Sequence, residues 1–199
     1  MARSPSPIDQ LARAGRRLRQ RHPCSGRLPA LLFLTDPDRT SDPAAIARRL
    51  PRGAGVIYRH FGAANRLGLA RALLRICRRR GLVMLIGADA ALARRIGADG
   101  VHVPERLWQG RPPGVRLVTC AAHGPAALRR AAALQADAAL LSPVFSSRSP
   151  SAGRPLGPRA ARAWAAASQT PVYALGGVRP RRTPIGRFCG LAAIEALVS

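Results

Sequence analysis

Lysine is absent from this 199-residue chain: all 33 basic residues are arginine, set against only 9 carboxylates, for a formal charge of +24. Without lysine there can be no GxxxxGK[ST] phosphate loop, and no GxGxxG follows the first apolar run. Aromatic residues make up 4% of the chain, too few to build a stacking platform for single-stranded nucleic acid. So few carboxylates leave little material for metal ligation. The four cysteines, Cys24, Cys77, Cys120 and Cys189, form no CxxC pair and keep no zinc spacing from a histidine. They read as free, mostly buried thiols of a reducing, cytoplasmic protein. No apolar run reaches the length of a membrane span, and no signal-peptide core opens the chain.

What is present is a large apolar fraction, 47%, in short and regularly spaced runs. The arginine and alanine excess is what GC-rich coding produces, so the charge is weak evidence of function. It still creates a field that draws in anions such as phosphates, and nucleic acid non-specifically. Residues 1–28 read as a basic arm, a solvated helix packed loosely on the main domain, with Ile8, Leu11 and Leu18 as one weak apolar face. Residues 29–199 read as one domain.

Eight short apolar runs predict strands covered on both faces: Ala30–Thr35, Gly55–Arg59, Leu82–Ile86, Gly100–Val103, Arg116–Ala121, Ala138–Leu141, Val172–Leu175 and Gly190–Ala193. Helical segments lie between them, including Asn65–Arg80, Asp89–Ile96, Pro125–Gln135 and Pro158–Ala167. Asp42-Pro43 and Gly157-Pro158 carry helix-start chemistry. Eight alternations favour an α/β fold of the (β/α)₈ TIM-barrel type over a doubly wound sheet. The length is near the lower limit of roughly 200 residues for that fold, so something is trimmed. Arg179–Phe188 is too rich in proline and arginine for a good seventh helix, and a final helix could span only Ile194–Val198.

Barrel chemistry gathers at the C-terminal ends of strands. Gly176 and Gly177 follow the seventh strand, where glycine lets the backbone approach an anion; with the backbone at Ala193 and Ile194 they form a candidate phosphate cradle. The polar stretch 142–157, with Ser147, Arg148, Ser149 and Arg154, reads as a substrate loop after strand six. Arg59 closes strand two; carboxylates are scarce, so a bound anion is its expected partner. His123 closes strand five and is the candidate proton carrier, whereas His102 reads as structural.

These residues stand in an order that resembles the thiamine phosphate synthase/TenI family of (β/α)₈ barrels. LFLTD at 32–36, GADGVH at 97–102, the histidine-ended strand at 118–123, PVF at 143–145, PLG at 155–157 and LGGV at 175–178 carry the resemblance, which covers roughly 30–198. It implies a role in thiamine biosynthesis with small phosphorylated thiazole or pyrimidine ligands. Synthase members join hydroxymethylpyrimidine diphosphate to a thiazole phosphate, using Mg²⁺ and releasing diphosphate. TenI members instead shift a proton on a thiazole carboxylate phosphate, without a metal.

The departures from the family's pattern favour the second type. Its second-strand pattern keeps only Arg59, within Ile57-Tyr58-Arg59-His60-Phe61. The Asn-Asp pair after strand three is Gly87-Ala88, and a further Asp falls at Leu107 with Glu105 out of register. The serine near the end of strand five falls at Ala121, and the lysine of the strand-six loop is gone from Ser147-Arg148-Ser149-Pro150. The parts that remain are the cradle, Arg59 and His123, placed where TenI-type tautomerases carry their proton-transfer histidine. The expectation is therefore an enzyme of the tautomerase type, with no certain cofactor and with Mg²⁺ only if coupling holds. The alternatives are coupling itself, or a non-catalytic binder of a phosphorylated ligand or of nucleic acid. No membrane partner is expected, and assembly with further copies of the chain is left open.

Overall fold

The computed structural model describes residues 4–22, 24, 26–147 and 153–197. The apolar runs form eight parallel strands: β1 (Leu31–Leu34), β2 (Gly55–Tyr58), β3 (Val83–Gly87), β4 (Gly100–Val103), β5 (Leu117–Ala122), β6 (Ala138–Leu141), β7 (Val172–Ala174) and β8 (Gly190–Ala193). Each pairs with the next, and β8 returns to β1 in the register Leu31↔Leu191 to Phe33↔Ala193, so the sheet closes into a barrel. Closure leaves no sheet edge, which allows strands of only three to six residues to persist.

Alternation along each strand sorts the side chains into two cores. Leu32, Leu34, Ile57, Leu85, Leu140 and Tyr173 fill the barrel interior. Their neighbours, such as Phe33, Val56, Ile86 and Leu141, face outward into the layer shared with the helices. Those helices are α1 (Pro7–Arg21), α2 (Pro43–Arg49), α3 (Arg66–Arg80), α4 (Ala90–Ile96), α5 (Pro125–Ala133) and α6 (Pro158–Ala167). Asp42, Asn65 and Asp89 cap α2, α3 and α4 through their side chains, and Pro43 and Pro158 open α2 and α6 as expected. The trimming falls where the sequence placed it. Between β7 and β8 there is only an isolated bridge joining Arg179 and Arg182, and one 3₁₀ turn, Glu195–Leu197, follows β8. Among the described residues no helix is long and apolar enough to cross a membrane.

The N-terminal helix corrects the expectation of loose packing. Ser6 and Asp9 form a capping box, and α1 buries Ile8, Leu11, Ala12, Gly15 and Leu18. It lies against β1, β8 and the final 3₁₀ turn, filling the outer layer where, among the described residues, only that short turn follows β8. Arg13, Arg16, Arg17 and Arg21 face solvent. The approach is close because Gly15 has no side chain: a Cβ there would stand 2.2 Å from the Ala30 carbonyl oxygen.

This docking gives a test of sign. On a solvated helix Gly15→Ala would stabilise by about 1 kcal/mol through helix propensity. Against the Ala30 carbonyl it should instead cost about 1–3 kcal/mol, read as a lower urea midpoint.

Candidate active site

The C-terminal ends of the strands surround a cavity of about 370 Å³. Inward alternation continues past the strand ends and delivers its lining: Arg59 lies two residues beyond inward Ile57, and His123 two beyond inward-facing Ala121. His102, Ser142, Gly176 and Ile194 line the same space. The diglycine turn and the histidine thus face one opening, although their strands, β7 and β5, are not adjacent.

His102 forms part of the floor. Its Nδ1 lies 2.9 Å from Thr119 Oγ1, the residue paired with it in the sheet. It is 6% exposed, and burial, with Arg59 adding repulsion, pulls its pKa down to about 3. The ring is neutral at physiological pH.

His123 is half-exposed at the cavity mouth. Its backbone N–H donates to Glu105 Oε2 at 2.8 Å, and the same oxygen is 2.6 Å from Nδ1. An ionised carboxylate can only accept, so Nδ1 carries a hydrogen, and in the neutral ring Nε2 is the lone-pair nitrogen. In the sequence Glu105 stands out of register with the family's Asp, which falls at Leu107. The signal that could have found it is its place in the turn immediately after β4, beside the end of β5.

Arg59 is partnered differently from expectation. Its Nη2 lies 3.1 Å from Asp36 Oδ2, its Nε donates to the Thr35 carbonyl at 3.0 Å, and its backbone N–H donates to Thr35 Oγ1. The predicted anion is a carboxylate of the protein itself. Burial lowers the Arg59 pKa while Asp36 pushes it back up. Asp36 also accepts from Arg39 Nη2 at 2.6 Å, which holds its carboxyl below the usual carboxylate range against the opposing effect of burial. Arg39 Nη1 in turn reaches Glu195 Oε1 at 3.5 Å. His60 closes this group, its Nδ1 3.0 Å from Thr35 Oγ1 and its ring stacked on Tyr58.

Glu195 brings the network to the diglycine turn. Gly176, Gly177, Ala193 and Ile194, together with Ser147, Arg39 and Glu195, line a smaller cavity of about 70 Å³. Both glycines have positive φ, +90° and +63°. A Cβ on Gly176 would meet Pro143 Cα at 2.7 Å, and one on Gly177 would meet the Ser146 carbonyl at 2.4 Å. The turn therefore needs glycine partly to fit under the segment after β6, which is joined to it by the Phe145 N–H to Gly176 carbonyl bond. Arg148 and Ser149 lie outside the described residues; Arg154 is exposed.

The residues after β3 do not fit a divalent cation. Gly87 and Ala88 offer no side-chain donor, and a Cβ on Gly87 would meet Phe61 Cζ at 3.1 Å and Arg59 Cγ at 3.3 Å. Asp89 is occupied twice: Oδ2 accepts from Arg66 Nη1 at 2.6 Å, and Oδ1 caps α4 through the Leu92 N–H. Asp36, Glu105 and Glu195 are each held by a cation or an imidazole, and among the described residues no three potential ligands converge. Packing and an ion pair occupy the space around Gly87 and Asp89.

The buried imidazole gives a pH prediction. Its folded-state pKa is below the unfolded value near 6.5, so the unfolded chain binds the extra proton between about pH 3 and 6.5. Stability is intact above that window and is lost as pH falls through it. Ring NMR resonances of His102 should stay in the neutral position from pH 8 to 5; a midpoint near 6.5 would contradict its placement.

A profile of the family described as thiamine monophosphate synthase matches residues 31–198. A thiamine-phosphate synthase of Chlorobium luteolum is 33% identical over 182 residues, 85% of either chain. One from Xylella fastidiosa is 39% identical over 80 residues, 38% of this chain and 34% of its own length. In three dimensions, a thiamine phosphate pyrophosphorylase from Pyrococcus furiosus superposes with a TM-score of 0.70 at 18% identity, covering 87% of this chain and 89% of the other. With the barrel, the diglycine turn and the strand-five histidine in the expected places, the chain belongs to the thiamine phosphate synthase/TenI family.

Proposed function

We propose that this barrel binds a thiazole phosphate of thiamine biosynthesis and moves a proton on it, in the manner of TenI-type tautomerases. The observation that carries the reading is that His123, with its tautomer set by Glu105, and Gly176 of the diglycine turn line one cavity. The phosphate would sit against the backbone of Gly176, Gly177, Ala193 and Ile194, with Ser147 at its edge. Arg59 would present its guanidinium, steadied by Asp36, to the carboxylate end of the ligand. His123 Nε2 would take a proton from a ring carbon and return it to another atom of the same molecule. Glu105 offsets the imidazolium formed between the two transfers. No group leaves, so no developing diphosphate charge needs a cation.

A second reading, coupling of hydroxymethylpyrimidine diphosphate to thiazole phosphate, is favoured by the names of the relatives. It needs stabilisation of the departing diphosphate, for which the one carboxylate after β3, Asp89, is paired with Arg66. One pair of assays separates the two. Purified protein in EDTA, given the thiazole carboxylate phosphate in D₂O, should yield the aromatic tautomer with solvent deuterium incorporated. Thiamine phosphate formed from the two precursors only with Mg²⁺ would establish coupling instead.

His123→Asn should lower turnover about 10²–10⁴-fold, the range for loss of a general base. Glu105→Gln should lower it less, because the imidazole stays in place but loses its charge partner. At the cradle, removal of a like charge should help an anion: Glu195→Gln should bind inorganic phosphate about 5- to 10-fold more tightly by calorimetry, on the order of 1 kcal/mol for a partly screened carboxylate.

A further inference from the structure

The opposite end of the barrel holds a group of residues that the proposed reaction does not use. Leu28, Cys24, Cys189 and Tyr173 belong to the interior core, at the end where β1 and β8 begin. Cys24 stands between α1 and β1; Cys189 is the residue before β8. They are 165 positions apart in sequence, yet the Cys24 thiol reaches the Cys189 carbonyl oxygen, 4.0 Å from Sγ, and both side chains pack in the interior core. The Tyr173 hydroxyl beside them is committed to the Pro29 carbonyl at 2.6 Å.

The two sulfurs are unequal in the way a reactive dithiol requires. Cys24 is partly exposed, and the hydrogen bond with Cys189, helped by Arg19, brings its pKa down to about 7 despite partial burial. Cys189 is 3% exposed, and burial pushes its thiol well above the ordinary value. The remaining cysteines differ: Cys77 and Cys120 are fully buried on the outer side of the sheet, with pKa values pushed up to about 12. Cys24 is therefore the accessible thiol of the four, and the buried Cys189 lies next to it.

We propose that Cys24 and Cys189 form a peroxide-responsive dithiol that closes to a disulfide across the floor of the barrel. The Cys24 thiolate attacks one oxygen of hydrogen peroxide; the O–O bond breaks, and with one proton taken up the products are Cys24 sulfenic acid and water. The Cys189 sulfur then attacks the sulfenic sulfur, the S–O bond breaks, and the hydroxyl leaves as water with the Cys189 proton. The sulfurs lose two electrons in total and the peroxide gains them. The product ties the segment entering β1 to the start of β8, the strand whose other end carries Ala193 and Ile194 at the cradle.

The test uses the full reduced chain and hydrogen peroxide. After treatment, free thiols are alkylated in denaturant and the peptides are mapped without reduction. The expected result is an intramolecular Cys24–Cys189 peptide two hydrogens lighter than its parts, with Cys77 and Cys120 still alkylatable. The thermal midpoint should rise and fall back on adding dithiothreitol. In Cys189→Ser, dimedone should trap Cys24 as its sulfenic acid. If that variant does not fold, the native chain still decides: at pH 7 iodoacetamide should label Cys24 at least tenfold faster than any other cysteine. Over-oxidised Cys24 with Cys189 free, linkage only between chains, or equal labelling of all four thiols would overturn the proposal.

Discussion

Asp36 is the residue on which the rim depends. It stands just past β1 and accepts from Arg39 of its own loop and from Arg59 just past β2, while Arg39 extends on to Glu195 beyond β8. A guanidinium as enclosed as that of Arg59 is costly unless paired, and Asp36 supplies the pairing without a ligand. The same bonds fix where Arg59 points, bring a carboxylate to the edge of the diglycine cavity, and remove Asp36 as a metal donor. Of this chain of four side chains, Arg39 and Glu195 line the diglycine cavity, where Arg179 joins them.

Two constraints of the fold place that network opposite His123. Closure of β8 onto β1 brings Glu195 within reach of Arg39, 156 residues away. Period-two alternation then decides which side chains beyond each strand turn inward, so that Arg59, His102 and His123 share a cavity although they come from β2, β4 and β5. The missing helices around β7 and β8 do not open the wall, because α1 covers β8 from outside. The helix that reads in sequence as an arginine-rich arm is part of the barrel's outer layer.

The strands were legible because parallel strands buried on both faces read as continuous apolar runs; Gly100–Val103, Ala138–Leu141 and Gly190–Ala193 agree with expectation at both ends. Gly176, Gly177 and His123 were legible from position after their strands. The ion pairs were not, since nothing local in the sequence distinguishes an Asp36 that meets Arg59 from one that meets water. Arg59 shows the consequence: scarcity of acid suggested a ligand, whereas the barrel delivers one of the few carboxylates directly to it. The docking of α1 was hidden for a related reason, because Gly15 looks like a helix weakener until Ala30 is seen beneath it. The mating of Glu105 with His123 likewise depends on the adjacency of β4 and β5.

The central claim is that this rim holds a phosphorylated small molecule through backbone amides and arginine, with its carboxylates already satisfied. Calorimetric titration of the thiazole carboxylate phosphate into the full chain, once in EDTA and once in excess Mg²⁺, tests it most directly. The account predicts binding of the same affinity in both. Binding that appears only with Mg²⁺ would contradict it.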